Sequence, residues 1–146
     1  MKLSIGNDHR GYNLKKKIIK YLEENNLEYV DFGSDSENSA DYPDYGFKVA
    51  KSVSSGESEI GILVCGSGIG MSMVANKVKG IRAALCYTKE HGRLAKEHNN
   101  ANILILSEET TPETIVEIID AWLNTEFNSD ERHRRRVRKI HDLTGL

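Results

Sequence analysis

The run Ile60-Gly61-Ile62-Leu63-Val64-Cys65, followed at once by Gly66-Ser67-Gly68-Ile69-Gly70, constrains this chain most. An apolar, β-branched segment of strand length ends at a cysteine and opens onto a glycine-rich turn. A helical pattern then follows in Met71, Met73, Val74, Ala75 and Val78. This is how a buried parallel strand reads, with its carboxyl end meeting a helix N-terminus. In open α/β sheets that crevice is where ligands sit. Glycines at 66, 68 and 70 allow backbone N–H groups to turn toward an anion, and a helix N-terminus favours negative charge. A thiol in such a field is expected to ionise nearer neutral pH than a free one. The segment therefore combines an anion cradle with a candidate base or nucleophile.

The same alternation repeats along the chain. Strands are expected at Lys2–Ile5, Glu28–Phe32, Ile60–Val64, Ile81–Cys86 and Ile103–Leu106. Helices lie between them. Leu14, Ile18, Ile19 and Leu22 recur at helical spacing, as do Phe47, Val49, Ala50 and Val53 after Tyr42-Pro43. Another helix runs from about Lys89 to His98. Thr111-Pro112 reads as an N-cap with proline at the first helical position, opening a helix to about Leu123. A last, basic helix runs from about Asp130 to Leu143. Repeated βα units of this length predict a three-layer α/β/α, Rossmann-like domain around a five-stranded parallel sheet. At 146 residues the chain makes one domain, spanning 1–146.

Charge and cysteine use narrow the function classes. The formal net charge is −2. Residues 130–139 carry six Arg/Lys against Asp130 and Glu131, leaving +4 there and −6 elsewhere. A basic patch on an acidic body suits a small anion better than a nucleic-acid duplex. Two cysteines, Cys65 and Cys86, make no disulfide framework and fit a reducing compartment. Met1-Lys2-Leu3-Ser4-Ile5 runs straight into a strand, with no secretory h-region and no apolar run that spans a bilayer. The expectation is a cytoplasmic protein with no membrane or nucleic-acid partner.

Polar groups gather at three strand ends. Asn7-Asp8-His9-Arg10-Gly11 follows the first strand. Asp8 there either caps the next helix or belongs to a site, and His9 is either a surface residue or a ligand. Cys65 stands before its glycine loop, whereas Cys86 has none and reads as core. Glu97-His98-Asn99-Asn100 closes a helix, where Asn99 or Asn100 can take a left-handed conformation and a charged His98 would suit the helix C-terminus. On the last helix, Val137, Ile140 and Leu143 form a stripe expected to dock on the body. Arg132, His133 and Arg136 lie beside it, the two arginines one turn apart and able to clamp a phosphate. Two familiar loops are excluded. A cysteine-phosphatase loop needs arginine six residues after the cysteine, where Met71 stands. A Walker loop needs Gly-Lys-Ser/Thr, which is absent. The glycine spacing does not match a dinucleotide fingerprint either.

Taken in order, Gly6-x-Asp8-His9-x-Gly11, Asp41-Tyr42-Pro43, Cys65-Gly66-Ser67-Gly68-x-Gly70, Ala75-Asn76-Lys77, Gly80-Ile81-Arg82-Ala83, His98-Asn99-x-x-Asn102 and Arg132-His133-x-x-Arg136-Val137 resemble ribose-5-phosphate isomerase type B and its galactose-6-phosphate isomerase relatives. The resemblance covers essentially the whole chain. It implies a metal-free, cofactor-free aldose–ketose isomerase that works through a cis-enediolate, interconverting ribose 5-phosphate and ribulose 5-phosphate. Cys65 would be the base, Ser67 would shuttle hydroxyl protons, and the amides of Gly66 and Gly70 would hold the oxyanion. His98 would open the sugar ring with Asp8 assisting. His9, Arg132 and Arg136 would bind phosphate, and Tyr42 and Asn99 the sugar. The resemblance also implies a homodimer or homotetramer whose site lies between subunits, with His98 and Asn99 supplied by a second copy. Two alternatives stay open: a hexose-6-phosphate isomerase acting on allose or galactose phosphate, and a catalytically silent sugar-phosphate binder. The chain departs from the pattern after the fifth strand. There Leu106-Ser107-Glu108-Glu109 places Glu109 where the family shows a phosphate-reaching arginine. Asn7 and Asn100 are milder departures. His91-Gly92 sets a glycine inside a helix, at a cost of about 1 kcal/mol relative to alanine.

Overall fold

The computed structural model describes residues 1–146. Five strands and six helices alternate as β1 Lys2–Asn7, α1 Tyr12–Glu24, β2 Glu28–Asp31, α2 Tyr42–Ser54, β3 Ile60–Cys65, α3 Ile69–Ala75, β4 Ala83–Leu85, α4 Lys89–Glu97, β5 Ile103–Ser107, α5 Pro112–Leu123 and α6 Glu131–Thr144. The strands form one parallel sheet in the order β2-β1-β3-β5-β4. The expected three-layer arrangement follows from alternation along the strands. Ile60, Ile62, Val64, Leu104 and Leu106 pack on one face with Leu14, Ile18 and Leu22 of α1 and Ile115, Ile118, Ile119 and Trp122 of α5. Leu63, Cys65, Ile103 and Ile105 pack on the other face with Val49, Ala50 and Val53 of α2 and Met71 and Ala75 of α3. Both faces are covered, so the central strands are apolar throughout.

Helices α1 and α2 thus lie on opposite faces, and β1 and β3 are neighbours in the sheet. The connections diverge between them. This is the topological switch point, where the carboxyl ends of the strands leave an open crevice. Register matters here. Asn7 pairs with Val64, and Cys65 pairs with Ser107, so the residues just after β1, the end of β3 and the end of β5 share one edge.

Two expectations change on the periphery. The fourth strand has three residues instead of Ile81–Cys86. Ile81 N–H donates to Val78 in a turn, and β4 is an edge strand with a partner on one side only. The expected docking stripe of α6 is not buried within the chain. Val137 is half-buried, Ile140 is exposed and Leu143 is 80% exposed. The helix is held by His133, its one buried residue, by Arg82 Nη1 against His141 Nε2 at 2.9 Å, and by the Asn128 amide donating to the Glu97 carbonyl.

The glycine inside α4 has a packing reason. A Cβ on Gly92 would sit 2.7 Å from the Ile118 carbonyl oxygen, so α4 and α5 touch backbone to backbone. Gly92→Ala should therefore destabilise the protein despite better helix propensity. Overpacking at about 1–3 kcal/mol outweighs a propensity gain of about 1 kcal/mol. A net loss of about 1 kcal/mol should appear as a lower urea midpoint at unchanged slope.

Candidate active site

The switch point brings Asp8 and Cys65 to neighbouring strand ends. Asp8 is buried and its Oδ1 accepts from the amides of Arg10 (3.0 Å) and Gly11 (3.1 Å). The carboxylate therefore folds the chain into α1 through an Asx turn, while Oδ2 makes no hydrogen bond. The next side chain, His9, packs against the loop before α2. Its Nδ1 lies 3.1 Å from the Ala40 amide nitrogen and 3.2 Å from the Ala40 carbonyl oxygen. The Ala40 peptide can therefore meet Nδ1 in either tautomer, and Nε2 has no protein partner. Buried Lys15 ties the same loop down through Ser34 O (2.7 Å) and Asp31 Oδ2 (2.8 Å).

The glycine loop carries three glycines for different reasons. Gly68 alone adopts positive φ, +82°, and is the residue from which α3 starts. Gly66 and Gly70 are sites of close approach. A Cβ at 66 would lie 2.6 Å from the Arg10 guanidinium, and one at 70 would lie 2.6 Å from the Tyr42 ring. Tyr42, at the start of α2, thus lies across the loop while 39% exposed. Ser67 Oγ accepts from Ile69 N–H at 3.2 Å, and the Ser67 carbonyl accepts from the Tyr87 hydroxyl. Ser107 Oγ donates to the Gly66 carbonyl at 2.6 Å, which fastens the loop to β5.

Cys65 Sγ accepts from the Gly68 amide at 3.1 Å. The expected downward pKa shift is nonetheless overturned. Burial is the largest influence and pushes the thiol up, with the Asp8 carboxylate adding to it. The Gly68 and Met71 amides and Arg10 pull the other way and do not compensate. Helix α3, at seven residues, is too short to supply a strong dipole. Cys86, expected as core, is 1% exposed and burial raises its thiol to about 12.

The remaining predicted residues lie elsewhere. Helix α4 leaves the carboxyl side of β4 and runs back, so His98 ends it near the other edge of the sheet. Four residues later the Asn102 carbonyl accepts from Gly61 N–H at the start of β3. Cys65 is four residues further along that strand, roughly 13 Å at about 3.3 Å each. His98 stacks on His133, ring centroids 4.4 Å apart and 12° from parallel. Desolvation and the neighbouring His98 push His133 down, and its buried Nε2 has no partner. Asn99 is exposed and its carbonyl accepts from Arg82. Asn100 takes the left-handed conformation, φ +47°. Arg132 and Arg136 are exposed on the first turns of α6, beside His133.

The structure thus assembles two groups. Asp8, His9, Tyr42, Cys65, Gly66, Ser67 and Gly70 lie around one sheet edge, and His98, Asn99, Arg132 and Arg136 around the α4 C-terminus. No single chain joins them. Two further polar residues stand at the first edge. Arg10 Nε donates to Glu108 Oε1 at 2.7 Å, and Glu108 N–H donates to the Cys65 carbonyl. Arg10 sits between His9 and Gly11 in a motif already visible, so position alone could have flagged it. Glu108 carries no sequence signal of its own.

A family model described as Ribose/Galactose Isomerase matches residues 3–140. Ribose-5-phosphate isomerase B of Escherichia coli is 39% identical over 140 residues, covering 95% of this chain and 93% of that protein. A structure of Clostridium thermocellum ribose-5-phosphate isomerase B superposes with a TM-score of 0.97 at 47% identity, covering 99% of this chain and 98% of that one. The Mycoplasma genitalium ribose-5-phosphate isomerase B, solved with bound ribulose-5-phosphate, superposes at 0.94 with 39% identity, covering 99% and 96%.

The field around Cys65 sets its reactivity. Carbamidomethylation by iodoacetamide should occur at Cys65 and spare Cys86, with a pH midpoint above that of an ordinary thiol. Peptide mass mapping against pH checks this. A midpoint near or below neutrality would mean the loop amides outweigh burial.

Proposed function

The chain belongs to the ribose/galactose isomerase family, and on that premise we propose that it interconverts ribose 5-phosphate and ribulose 5-phosphate. The observation that carries the reading is Asp8 and Cys65 at adjacent strand ends of the switch point, with the Gly66–Gly70 amides beside them. Moving a carbonyl by one carbon needs a base at the carbon-bound proton and donors on the developing enediolate. Cys65 takes the proton from C2 of the aldose and returns it at C1. The Gly66 and Gly70 amides and the Ser67 hydroxyl hold the oxygens. Tyr42 flanks the sugar, and His9 offers Nε2 to the phosphate.

Ring opening and the rest of the phosphate clamp come from a second copy. His98 is the acid/base that opens the furanose, with Asp8 opposite, Asn99 contacts the sugar, and Arg132 and Arg136 embrace the phosphate. The division of these groups between the two ends of the sheet supports this, since one chain leaves both half-sites open. The surface available for pairing also supports it. Ile69 and Met73 on α3 and Ile140 and Leu143 on α6 are exposed, and a cavity of about 460 Å³ beside edge strand β4 is lined by Ile81, Leu85, Leu94 and Ile140.

Turnover of ribose 5-phosphate, measured beside allose 6-phosphate and galactose 6-phosphate in EDTA, tests the reaction. The pentose should be the preferred substrate and Cys65→Ser should abolish its turnover while binding persists. Because burial holds the free thiol up, kcat/KM should still be rising with pH above neutrality. The shared site has its own test. Cys65→Ser and His98→Ala chains, each inactive, should regain activity when unfolded and refolded together. Random pairing of a two-fold dimer makes about half the dimers mixed, each with one intact site, so about a quarter of wild-type activity should return. No recovery would mean that each chain builds its own site.

A further inference from the structure

We infer that Arg10 is a ligand of the substrate phosphate, held ready by Glu108, an inference that rests on the isomerase reading above. Three observations converge on it. First, the residue is tethered at its backbone amide and at its guanidinium. The Arg10 amide is tied to Asp8 Oδ1. Its Nε and Nη2 are both tied to Glu108 Oε1, and the Glu108 amide is in turn tied to the Cys65 carbonyl. Second, the loop leaves room for it. Only glycine at 66 allows the guanidinium carbon and Nη1 to lie where they do, 2.6 Å from the position of an added Cβ. Nη1 itself makes no hydrogen bond. A free charged donor therefore stands over the turn that follows Cys65, one residue along from His9.

Third, the local charge requires a cation. Asp8, Glu108 and Glu109 all lie close enough to act on Arg10. A phosphate dianion seated beside Arg10 meets these carboxylates, and Arg10 is the group that offsets them. Glu108 accepts through one oxygen, in an exposed pair of the kind that holds weakly in water. A phosphate presents a stronger, multidentate acceptor to the same fork. Substrate binding therefore redirects Arg10 from Glu108 to the phosphate, using Nη1 first.

Arg10→Met, Arg10→Lys and Glu108→Gln separate this role from an ordinary surface ion pair. Arg10→Met should raise KM for ribose 5-phosphate about tenfold or more and leave kcat nearly unchanged. Calorimetric affinity for inorganic phosphate should fall by a similar factor. Arg10→Lys should recover part of both, and Glu108→Gln, which removes the charge that holds Arg10 but keeps an acceptor oxygen, should weaken both by less than Arg10→Met does. Unchanged KM and phosphate affinity in Arg10→Met would overturn the proposal. So would a displaced pH profile of kcat at unchanged KM, which would make Arg10 a modulator of the Cys65 thiol. Should wild type turn over no sugar phosphate, the isomerase reading fails on its own. The phosphate affinities of wild type and Arg10→Met would still decide the role of Arg10.

Discussion

Everything in the candidate site depends on the parallel pairing of β1 with β3. That ladder aligns Asn7 with Val64 and so sets the following residues, Asp8 and Cys65, side by side. The connections diverge at this pair, with α1 on one face and α2 on the other, so no helix covers the gap between the strand ends. A one-residue slip would turn Cys65 toward the opposite face. The slip is prevented by the buried alternation of β3, whose Leu63 and Cys65 fit among α2 and α3 while Ile62 and Val64 fit against α1 and α5. Core packing and site geometry are therefore the same constraint, expressed at two ends of one strand.

The chemistry that results is a contest between burial and dipoles. A thiol kept dry beside a carboxylate is pushed toward its neutral form, and short hydrogen bonds from loop amides recover only part of that cost. The same dryness makes the thiolate, once formed, a stronger proton acceptor. The loop also has little freedom to relax. Gly66 is fastened to Ser107, Gly68 needs its left-handed backbone, and Gly70 lies against the Tyr42 ring. Donors held this rigidly would not have to reorganise as negative charge developed on a bound substrate.

How much of this could be read from the residues varies with range. Strand and helix positions follow from local periodicity, and the glycine loop announces itself because its neighbours in sequence are its neighbours in space. Errors arise where a partner lies outside the chain or far along it. The stripe Val137, Ile140 and Leu143 has the spacing of a docking face, but periodicity reports that a face is apolar and not what covers it. The three-residue β4 is short because an edge strand has a ladder on one side only, which no window of sequence reveals. The sign of the thiol shift is not legible in the sequence, because amide donors show in the glycine spacing while the depth of burial does not. Arg10 stands inside a legible motif, but only the folded structure shows its guanidinium above Gly66.

Sheet polarity also explains why the chain keeps its two groups of candidate site residues apart. In a βα unit the helix returns the chain to the starting edge, so residues at the end of α4 cannot reach residues at the end of β3. His98 and Cys65 are separated by that rule and not by any detail of packing. The proposed two-fold dimer would remove the difficulty by presenting the α4 end of each chain to the β3 end of the other. The same operation would cover the exposed side chains of α3 and α6 and the open side of β4. The basic turns of α6 would then lie over an edge already lined by Asp8, Glu108 and Glu109. On this arrangement the carboxylates do more than oppose a phosphate. They would attract the arginines of the neighbouring chain, and a phosphate would bind among those arginines, with Arg10 as the cation contributed from below.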